Sequence, residues 1–502
     1  MSAATRLPGA PRRGVATTGG APSVRMGSVI ALAWPSVLSF VLHNGFRIND
    51  QFCVQELGPS AQAALGSSIF VMIMNFAVYF LVMGGTLPLV ARATGAGDPE
   101  RRDAVIVHAL LAATGVGLVL TLLGGLFAGH LVALLNLEGD VALLATEYLR
   151  AIYLGSLALS LVPVVDASFV AMGDTRIPLA MQVISVSSNF ALNMALIYGS
   201  SKFAWLPFEG LGMTGAAVAT VISRGFAAAF GLALLGRRHG VRIWRRMPLS
   251  LEHFRALIRI GAPNALSIAT YAAVYWLLLA VVVSHLGRSV MAGLSIGFNV
   301  FEGVSFPFFL GVAMAGSSLI GRSLGAGDPA RAREAVRVVR RLTSVCGIAF
   351  ALVFWFASPW IASLFSDDPA VLEETVRYAR ILAFSQFFVA HETAGEKALW
   401  GAGHTRPIFM VSVPGNLLRI PLAWLFALGL GGGAAGVWWA INVTSVLKAS
   451  VLFLIVRYSR WAEGPSPADS PSSARGVERF DEVGDEVGGV LDAGGDPHQS
   501  GA

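Results

Sequence analysis

The sequence predicts an all-α polytopic membrane protein made of two similar halves, and three observations lead to that fold class. Of the 502 residues, 55% are hydrophobic and only 13% are charged, whereas soluble domains carry about 25% charged residues. Continuous apolar runs of about 20 residues, long enough to cross a bilayer as helices, recur along the chain and exclude a β-barrel. The segment RATGAGDPER at 92–101 also returns as RSLGAGDPAR at 322–331.

Twelve apolar stretches are long enough to be transmembrane helices. We place them at residues 28–53, 62–91, 105–128, 145–171, 177–199, 213–236, 256–285, 291–321, 338–358, 375–400, 407–430 and 435–458. The first six form an N-lobe (26–236) and the last six a C-lobe (256–460), joined by a basic linker (237–255). Residues 1–25 and 461–502 lack the apolar content of a core, so we expect disordered tails.

The duplication extends beyond the two Gly-Ala-Gly-Asp-Pro segments, which themselves predict tight turns that start a following helix. Pro35 in span one corresponds to Pro263 in span seven, and GDTR at 173–176 corresponds to GHTR at 403–406. Six spans in each half make both halves enter the membrane in the same sense. The sequence therefore predicts parallel repeats that pack into two bundles around a central cavity.

Arginine-rich loops set the expected orientation. The loops after spans six and eight carry clusters of arginine, whereas the loops on the opposite side carry little basic charge and several acidic residues. By the positive-inside rule, both termini are expected in the cytoplasm, with the chain in the cell (inner) membrane.

Several classes of function and ligand are disfavoured. The sequence lacks the nucleotide-binding motif G-x-x-x-x-G-K-[ST]. If the protein is a pump, we therefore expect an ion gradient to drive it. Cys53 and Cys346 give neither a disulfide framework nor zinc spacing, and we predict no cofactor and no resident metal. The net charge of +6 lies largely in loops and does not indicate nucleic acid binding. We expect a monomer whose partners are a small-molecule substrate and the lipid bilayer.

The chain resembles the multidrug and toxic compound extrusion (MATE) family of cation-coupled exporters over roughly residues 26–458. The resemblance rests on the proline-bearing first span with Asn49-Asp50, the two Gly-Ala-Gly-Asp turns, GDTR at 173–176, and Asn189 with Asn193 in span five. It implies two six-helix lobes in a V shape. It also implies export of drugs or metabolites in exchange for H⁺ or Na⁺.

Asp50 is the main candidate for cation coupling. A carboxylate inside a span costs roughly 2.5–3.5 kcal/mol on insertion scales, so its presence needs a reason. In a cavity of low dielectric constant a carboxyl group can take up and release a proton near neutral pH. The resemblance assigns coupling to Asp50. The alternative is a structural ion pair with Arg47, three residues earlier on the same helical face.

Asn189 and Asn193 lie four residues apart, on one face of span five, and are predicted to assist Asp50. Some relatives carry an aspartate where this chain has Asn193, so the two-carboxylate form of the site is not expected here. An amide can still ligate sodium or bond to protonated Asp50. Interhelical hydrogen bonds that only hold the spans together are the alternative.

Five further residues are predicted to line the substrate cavity: Tyr271, Glu302, Glu392, Glu396 and Asp166. Carboxylates and aromatic rings would favour amphipathic organic cations through charge and cation–π attraction. The alternative is internal neutralisation, because Arg224, Arg419 and Lys448 also lie within spans and must find partners.

The sequence thus favours a secondary active antiporter that exports organic, cationic and amphipathic compounds by alternating access. A flippase for lipid-linked precursors, from the same broad superfamily, is the main alternative, and it would need a strongly basic cavity. An intramembrane enzyme would need a nucleophile–base pair or a metal cluster, and none is evident in the sequence, so we predict no catalytic residues.

Overall fold

The computed structural model describes residues 24–135, 137–242 and 248–463, apart from the side chains of residues 47 and 70, and this part of the chain is almost entirely helical. The first half contains α1 (Met26–Val54), α2 (Pro59–Gly95), α3 (Pro99–Leu134), α4 (Gly139–Leu154), α5 (Ser156–Met172), α6 (Arg176–Tyr198) and α7 (Gly212–His239). The second half contains α8 (Leu251–Val281), α9 (Arg288–Ile296), α10 (Gly303–Gly325), α11 (Pro329–Leu352), α12 (Ser358–Ser363), α13 (Pro369–Gly401), α14 (Arg406–Trp424) and α15 (Gly433–Tyr458).

These helices form twelve spans, because three of the spans are interrupted. A bend of 58° separates α4 from α5, and π-helical segments join α9 to α10 (Gly297–Glu302) and α11 to α12 (Val353–Ala357). By length and apolar composition, ten described helices qualify as spans, or eleven with the bent pair. The remaining span, α13, is 33 residues long but carries many charged side chains. Each of the twelve predicted spans overlaps one of these units.

The two Gly-Ala-Gly-Asp-Pro segments form the tight turns that the sequence predicts. Gly97 and Gly327 have φ angles of 68° and 72°, which favour glycine. The Asp98 carboxylate accepts a hydrogen bond from the backbone N–H of Arg101 at 2.9 Å, and Asp328 caps α11 in the same way at 2.8 Å. Each aspartate thus satisfies a free donor at the start of the next helix. We call the end of the bundle that carries these turns the turn end, and the opposite end the far end.

Helix packing repeats between the halves. Within the N-lobe (α1–α7), α1 packs on α6 and α6 on α7; within the C-lobe (α8–α15), α8 packs on α14 and α14 on α15. Across the halves, α1 packs along α10 and α2 along α8, which are equivalent pairs. Six spans of one half therefore correspond in order and in packing to six of the other.

The hydrophobic cores show where the lobes join. One core runs through both halves towards the turn end and includes Val90, Ile320 and Trp400. Towards the far end each lobe has a separate core, with Tyr148 in one and Trp438 in the other. The lobes are therefore joined at the turn end and separate at the far end, which gives the V shape.

At the turn end, each half contacts the turn of the other half through an arginine. The Arg92 Nη2 on α2 donates to the carbonyl oxygen of Ala402, after α13, at 3.0 Å. The Arg322 guanidinium on α10 packs so closely against Gly173, after α5, that a Cβ there would lie 2.4 Å from Nη1. The indole of Trp400 also donates to the carbonyl of Gly84 at 2.6 Å. Polar contacts thus join the two lobes at the turn end in addition to the shared hydrophobic core.

The predicted tail boundary at residue 461 is wrong by a few residues. Trp461 is 4% exposed, and its indole donates to the carbonyl of Val456 at 2.8 Å. Glu463 forms an ion pair with Arg333. A large aromatic side chain placed directly after α15 is buried against the core and extends the fold. The other predicted tail residues, 1–23 and 464–502, and linker residues 243–247 lie outside the described residues.

Candidate functional site

Asp50 lies towards the far end of α1 and is 7% exposed. Its Oδ1 accepts a hydrogen bond from Nδ2 of Asn193 at 2.7 Å, and its Oδ2 accepts one from the Thr220 hydroxyl at 3.4 Å. Because Asn193 is on α6 and Thr220 is on α7, three helices of the N-lobe converge on this carboxylate. Of the described side chains that touch Asp50, none is positively charged. The side chain of Arg47, the alternative partner, lies outside the described residues.

Asn189 completes the arrangement. Its Oδ1 accepts hydrogen bonds from Asn193 at 3.2 Å and from Asn49 at 2.6 Å, and its Nδ2 donates to Thr220 at 3.4 Å. We call Asp50, Asn189, Asn193 and Thr220 the N-lobe cluster. The structure therefore brings together the three residues predicted for cation coupling and adds Thr220. Their role in coupling stays a prediction.

The N-lobe cluster contains the groups that a proton or sodium site needs. Oδ1 of Asn193 is buried and has no hydrogen-bond partner among the described residues. A side-chain amide presents an acceptor on one side and a donor on the other. Asn193 can therefore donate to an ionised Asp50 or, after rotation of its amide, accept from a protonated one. The same cluster could bind sodium instead, because carboxylate, amide and hydroxyl oxygens are ligands that hard cations prefer.

Arg224 and Asp166 occupy the same lobe. Arg224 donates to Oε1 of Gln182 at 3.1 Å and lies over the Phe46 ring at 4.4 Å. Oδ1 of Asp166 on α5 is buried and has no hydrogen-bond partner among the described residues. Asp166 thus lies in the N-lobe, as its place in span four predicts, and its role at the substrate cavity stays a prediction.

Two of the predicted cavity acids on α13 are already engaged. Glu392 forms an ion pair with Lys448 on α15 at 2.6 Å. Glu396 accepts a hydrogen bond from the Ser412 hydroxyl on α14 at 2.6 Å. The charge of Glu392 is thus neutralised within the lobe, which is the alternative given above for these acids. The adjacent His391 lies 3.2 Å from the hydroxyl of Ser344 on α11.

Tyr271 and Glu302 belong to a separate group in the C-lobe. Glu302 accepts a hydrogen bond from the hydroxyl of Tyr378 on α13. The rings of Tyr271 and Tyr275 lie 4.6 Å apart, and the Arg419 guanidinium lies 5.4 Å from the Tyr275 ring. We call Tyr271, Tyr275, Glu302, Tyr378 and Arg419 the C-lobe cluster. In the described ranges no group of three or more His, Cys, Asp or Glu side chains could hold a metal ion.

The repeat relates the two clusters. With Gly173 aligned on Gly403, Tyr148 corresponds to Tyr378 and Asn189 corresponds to Arg419. With Pro35 aligned on Pro263, Asp50 corresponds to Leu278. The halves thus share a framework, but the N-lobe carries an acid and amides where the C-lobe carries a leucine and a guanidinium.

Sequence reasoning missed Thr220, Tyr275 and Tyr378. A hydroxyl within a span is too common to single out Thr220. Tyr378 had one usable signal, since it repeats Tyr148, and Tyr275 lies one helical turn after Tyr271. The contacts between helices could not be derived from spacing along one helix.

Two joined six-span lobes, each with a buried polar cluster, define a two-lobe membrane transport protein. The sequence matches the MatE family model twice, over residues 35–195 and 263–425, with one match in each half. This chain belongs to the MatE family, as the resemblance implied. Members of this family are transporters, so the general activity is membrane transport rather than catalysis.

Curated relatives and solved structures agree with this placement. A Thermotoga maritima protein named "Probable multidrug resistance protein NorM" is 27% identical over 447 residues, covering 88% of this chain and 94% of the relative. A Shewanella oneidensis protein named "FAD transporter" is 27% identical over 448 residues, covering 86% and 94%.

Among solved structures, the outward-facing conformation of a multidrug resistance MATE family transporter matches with a TM-score of 0.80 at 22% identity, covering 88% of this chain and 97% of that one. A Pyrococcus furiosus transporter of the MOP superfamily, described as having a binding pocket of reverse polarity, matches with a TM-score of 0.77 at 21% identity, covering 86% and 95%. At this level of identity the structures support the fold alone.

Proposed function

We propose that this protein is a secondary active antiporter that exports amphipathic organic compounds, cationic ones among them, in exchange for H⁺ or Na⁺. The name of the T. maritima relative supports the multidrug part of this proposal. The observation that carries the coupling part is the burial of Asp50 among amide and hydroxyl donors from two other helices. A buried carboxylate with neutral partners gains most from binding a cation.

The proposed cycle uses the V shape. With the turn end towards the cytoplasm, the far end opens to the outside, where H⁺ or Na⁺ reaches Asp50. Neutralising Asp50 changes the hydrogen bonds that tie α1 to α6 and α7. That change biases the lobes towards the arrangement in which the turn end opens and takes up substrate. We propose a monomer in the cell membrane with both termini in the cytoplasm, and neither nucleic acid nor an organic cofactor takes part.

The flippase alternative has less support. It would need a strongly basic interior, whereas the described spans combine basic residues such as Arg224, Arg419 and Lys448 with acids in both lobes. These acids include Asp50, Asp166 and Glu302. The match to the MatE family model over both halves also favours the exporter.

Transport into inverted membrane vesicles tests the proposal. The full chain is assayed with a fluorescent organic cation under an imposed proton gradient and, separately, a sodium gradient. We expect one gradient to drive uptake, and Asp50→Asn to abolish that response while the protein still inserts in the membrane. The control is Glu209→Gln, at an exposed acid outside both clusters.

Two outcomes would contradict the proposal in different ways. Equal gradient-driven uptake by Asp50→Asn would remove this residue from coupling. Uptake that ignores both gradients in the unmodified protein would reject ion-coupled export as a whole.

A further inference from the structure

Arg419 on α14 is a buried guanidinium with only neutral partners. It is 2% exposed. Its Nε donates to the Thr444 hydroxyl at 3.2 Å and its Nη2 to the Ser445 hydroxyl at 3.5 Å. No described carboxylate lies within 4.0 Å of it, and its Nη1 has no hydrogen-bond acceptor among the described residues. A buried charge normally has a paired opposite charge, so this one needs an explanation.

The three predicted cavity acids of the C-lobe make their closest contacts with residues other than Arg419. Glu392 is paired with Lys448 at 2.6 Å, and Glu396 accepts from Ser412 at 2.6 Å. Glu302 accepts from the hydroxyl of Tyr378. Each acid thus has a nearer donor than Arg419, and the guanidinium keeps free capacity for an oxyanion.

An aromatic surface lies beside the guanidinium. The Tyr275 ring centre is 5.4 Å from the guanidinium carbon. The Tyr275 ring lies 4.6 Å from that of Tyr271 and 5.7 Å from that of Phe298, and both ring pairs are tilted. Tyr271 and Tyr275 are partly exposed, unlike Arg419. An aromatic ligand in contact with one of these tyrosine rings would bring a charged group within reach of the guanidinium.

We propose that Arg419 is an anion-binding residue for substrate, so that the transported compounds include aromatic amphiphiles that bear a carboxylate or a phosphate group. This inference rests on the proposed export function and specifies its substrate class. A guanidinium offers parallel N–H groups that match two oxygens of either oxyanion. In a site shielded from water this pairing is worth far more than at a surface.

The competing explanation is that Arg419 only balances the charge of Glu302 and Glu392 at longer range. In that case its removal would weaken all ligands alike, or destabilise the lobe, whatever charge the ligand carries. A test must therefore compare ligands that differ only in the anionic group.

Equilibrium binding of two matched probe pairs to the full-length protein in lipid nanodiscs provides that test. The first pair is tetramethylrhodamine, which has a free carboxylate, and its methyl ester. The second pair is flavin mononucleotide, which has a phosphate, and riboflavin, which lacks it. We expect the acid of at least one pair to bind more tightly than its partner. The pair that shows the preference distinguishes a carboxylate site from a phosphate site.

In Arg419→Met we expect that preference to fall by about tenfold or more, with the binding of the partner that lacks the anionic group little changed. Arg419→Lys should restore part of it, because the charge remains but the paired N–H groups are lost. The matched control is Arg380→Met, at an exposed arginine of the same lobe that lies over Trp355. If Arg419→Met does not fold, the double variant with Glu302→Gln removes both charges together, and it should lose the preference in the same way.

Three results would overturn the inference. The unmodified protein could bind neither acid more tightly than its partner. The preference could persist in Arg419→Met or in the double variant. Both members of a pair could also weaken equally, which would make Arg419 a structural counter-ion. Because no ion gradient is applied, a failure of coupled export would leave this binding result intact.

Discussion

The N-lobe and the C-lobe share a framework but differ at its centre. Tyr148 and Tyr378 occupy equivalent positions, and equivalent turns end the spans on which they lie. At the centre, however, Asp50 corresponds to Leu278 and Asn189 corresponds to Arg419. The duplication therefore kept the packing positions and changed the charged ones. In the function proposed above, the N-lobe binds the coupling cation and the C-lobe recognises substrate.

Exchanging the acid between the lobes should have the largest effect. In Asp50→Leu, which installs the residue of the other lobe, we expect the response of vesicle uptake to ion gradients to disappear. Adding Leu278→Asp should not restore it, because Arg419 and Ala423 replace the two asparagines there. Recovery of gradient-driven uptake in the double variant would show that the lobes are interchangeable.

Breaking the Glu392–Lys448 ion pair between α13 and α15 should have the largest effect on stability. Lys448→Met leaves Glu392 buried without its partner, which costs about 3–5 kcal/mol. The melting temperature in detergent should fall clearly, and Lys448→Met combined with Glu392→Gln should recover most of the loss. A single variant that melts like the unmodified protein would show that this pair does not stabilise the lobe.

The two arginines of the turn end should differ in their effects. Arg92→Gln removes a charged hydrogen bond to the carbonyl of Ala402, worth about 1.5–3 kcal/mol. Arg322→Gln mainly removes packing against Gly173, so we expect a smaller loss. The loss at each turn is measured by backbone hydrogen exchange, at residues 399–406 in Arg92→Gln and at residues 169–176 in Arg322→Gln. Equal protection in both variants would contradict the asymmetry.

The caps of α3 and α11 should respond alike and only slightly. Asp98→Ala and Asp328→Ala each remove one cap, which costs about 1 kcal/mol. We expect similar increases in hydrogen exchange over the first turns of the two helices, because the turns have the same geometry. A large difference between them would limit the equivalence of the halves to sequence alone.

The fold was more predictable from the sequence than the site. Apolar length and the repeated turns predicted all twelve spans, because both are local properties of the chain. The span α13 was predicted from its length although it is rich in charge, and the repeat places it opposite the fourth span. The folded position of Trp461 was missed, because its burial depends on a core that no local pattern describes.

Within the site, spacing on one helix placed Asn189 and Asn193 together but could not link them to Thr220. Asp166 and Glu302 lie in different lobes, as their spans require, and their shared role at a central cavity stays a prediction. The partner of Lys448 required α13 and α15 to be packed together. Contacts between helices depend on tertiary structure, and one sequence contains them only indirectly.

The reciprocal arginine contacts between the halves at the turn end have a consequence for the leakage of ions. Arg92 contacts the turn after α13 of the C-lobe, and Arg322 contacts the turn after α5 of the N-lobe. Separating the halves at the turn end therefore breaks both contacts together. Release should therefore be concerted, and partly open intermediates should be rare. A barrier that yields only as a whole would protect the membrane from uncoupled ion flow during each turnover.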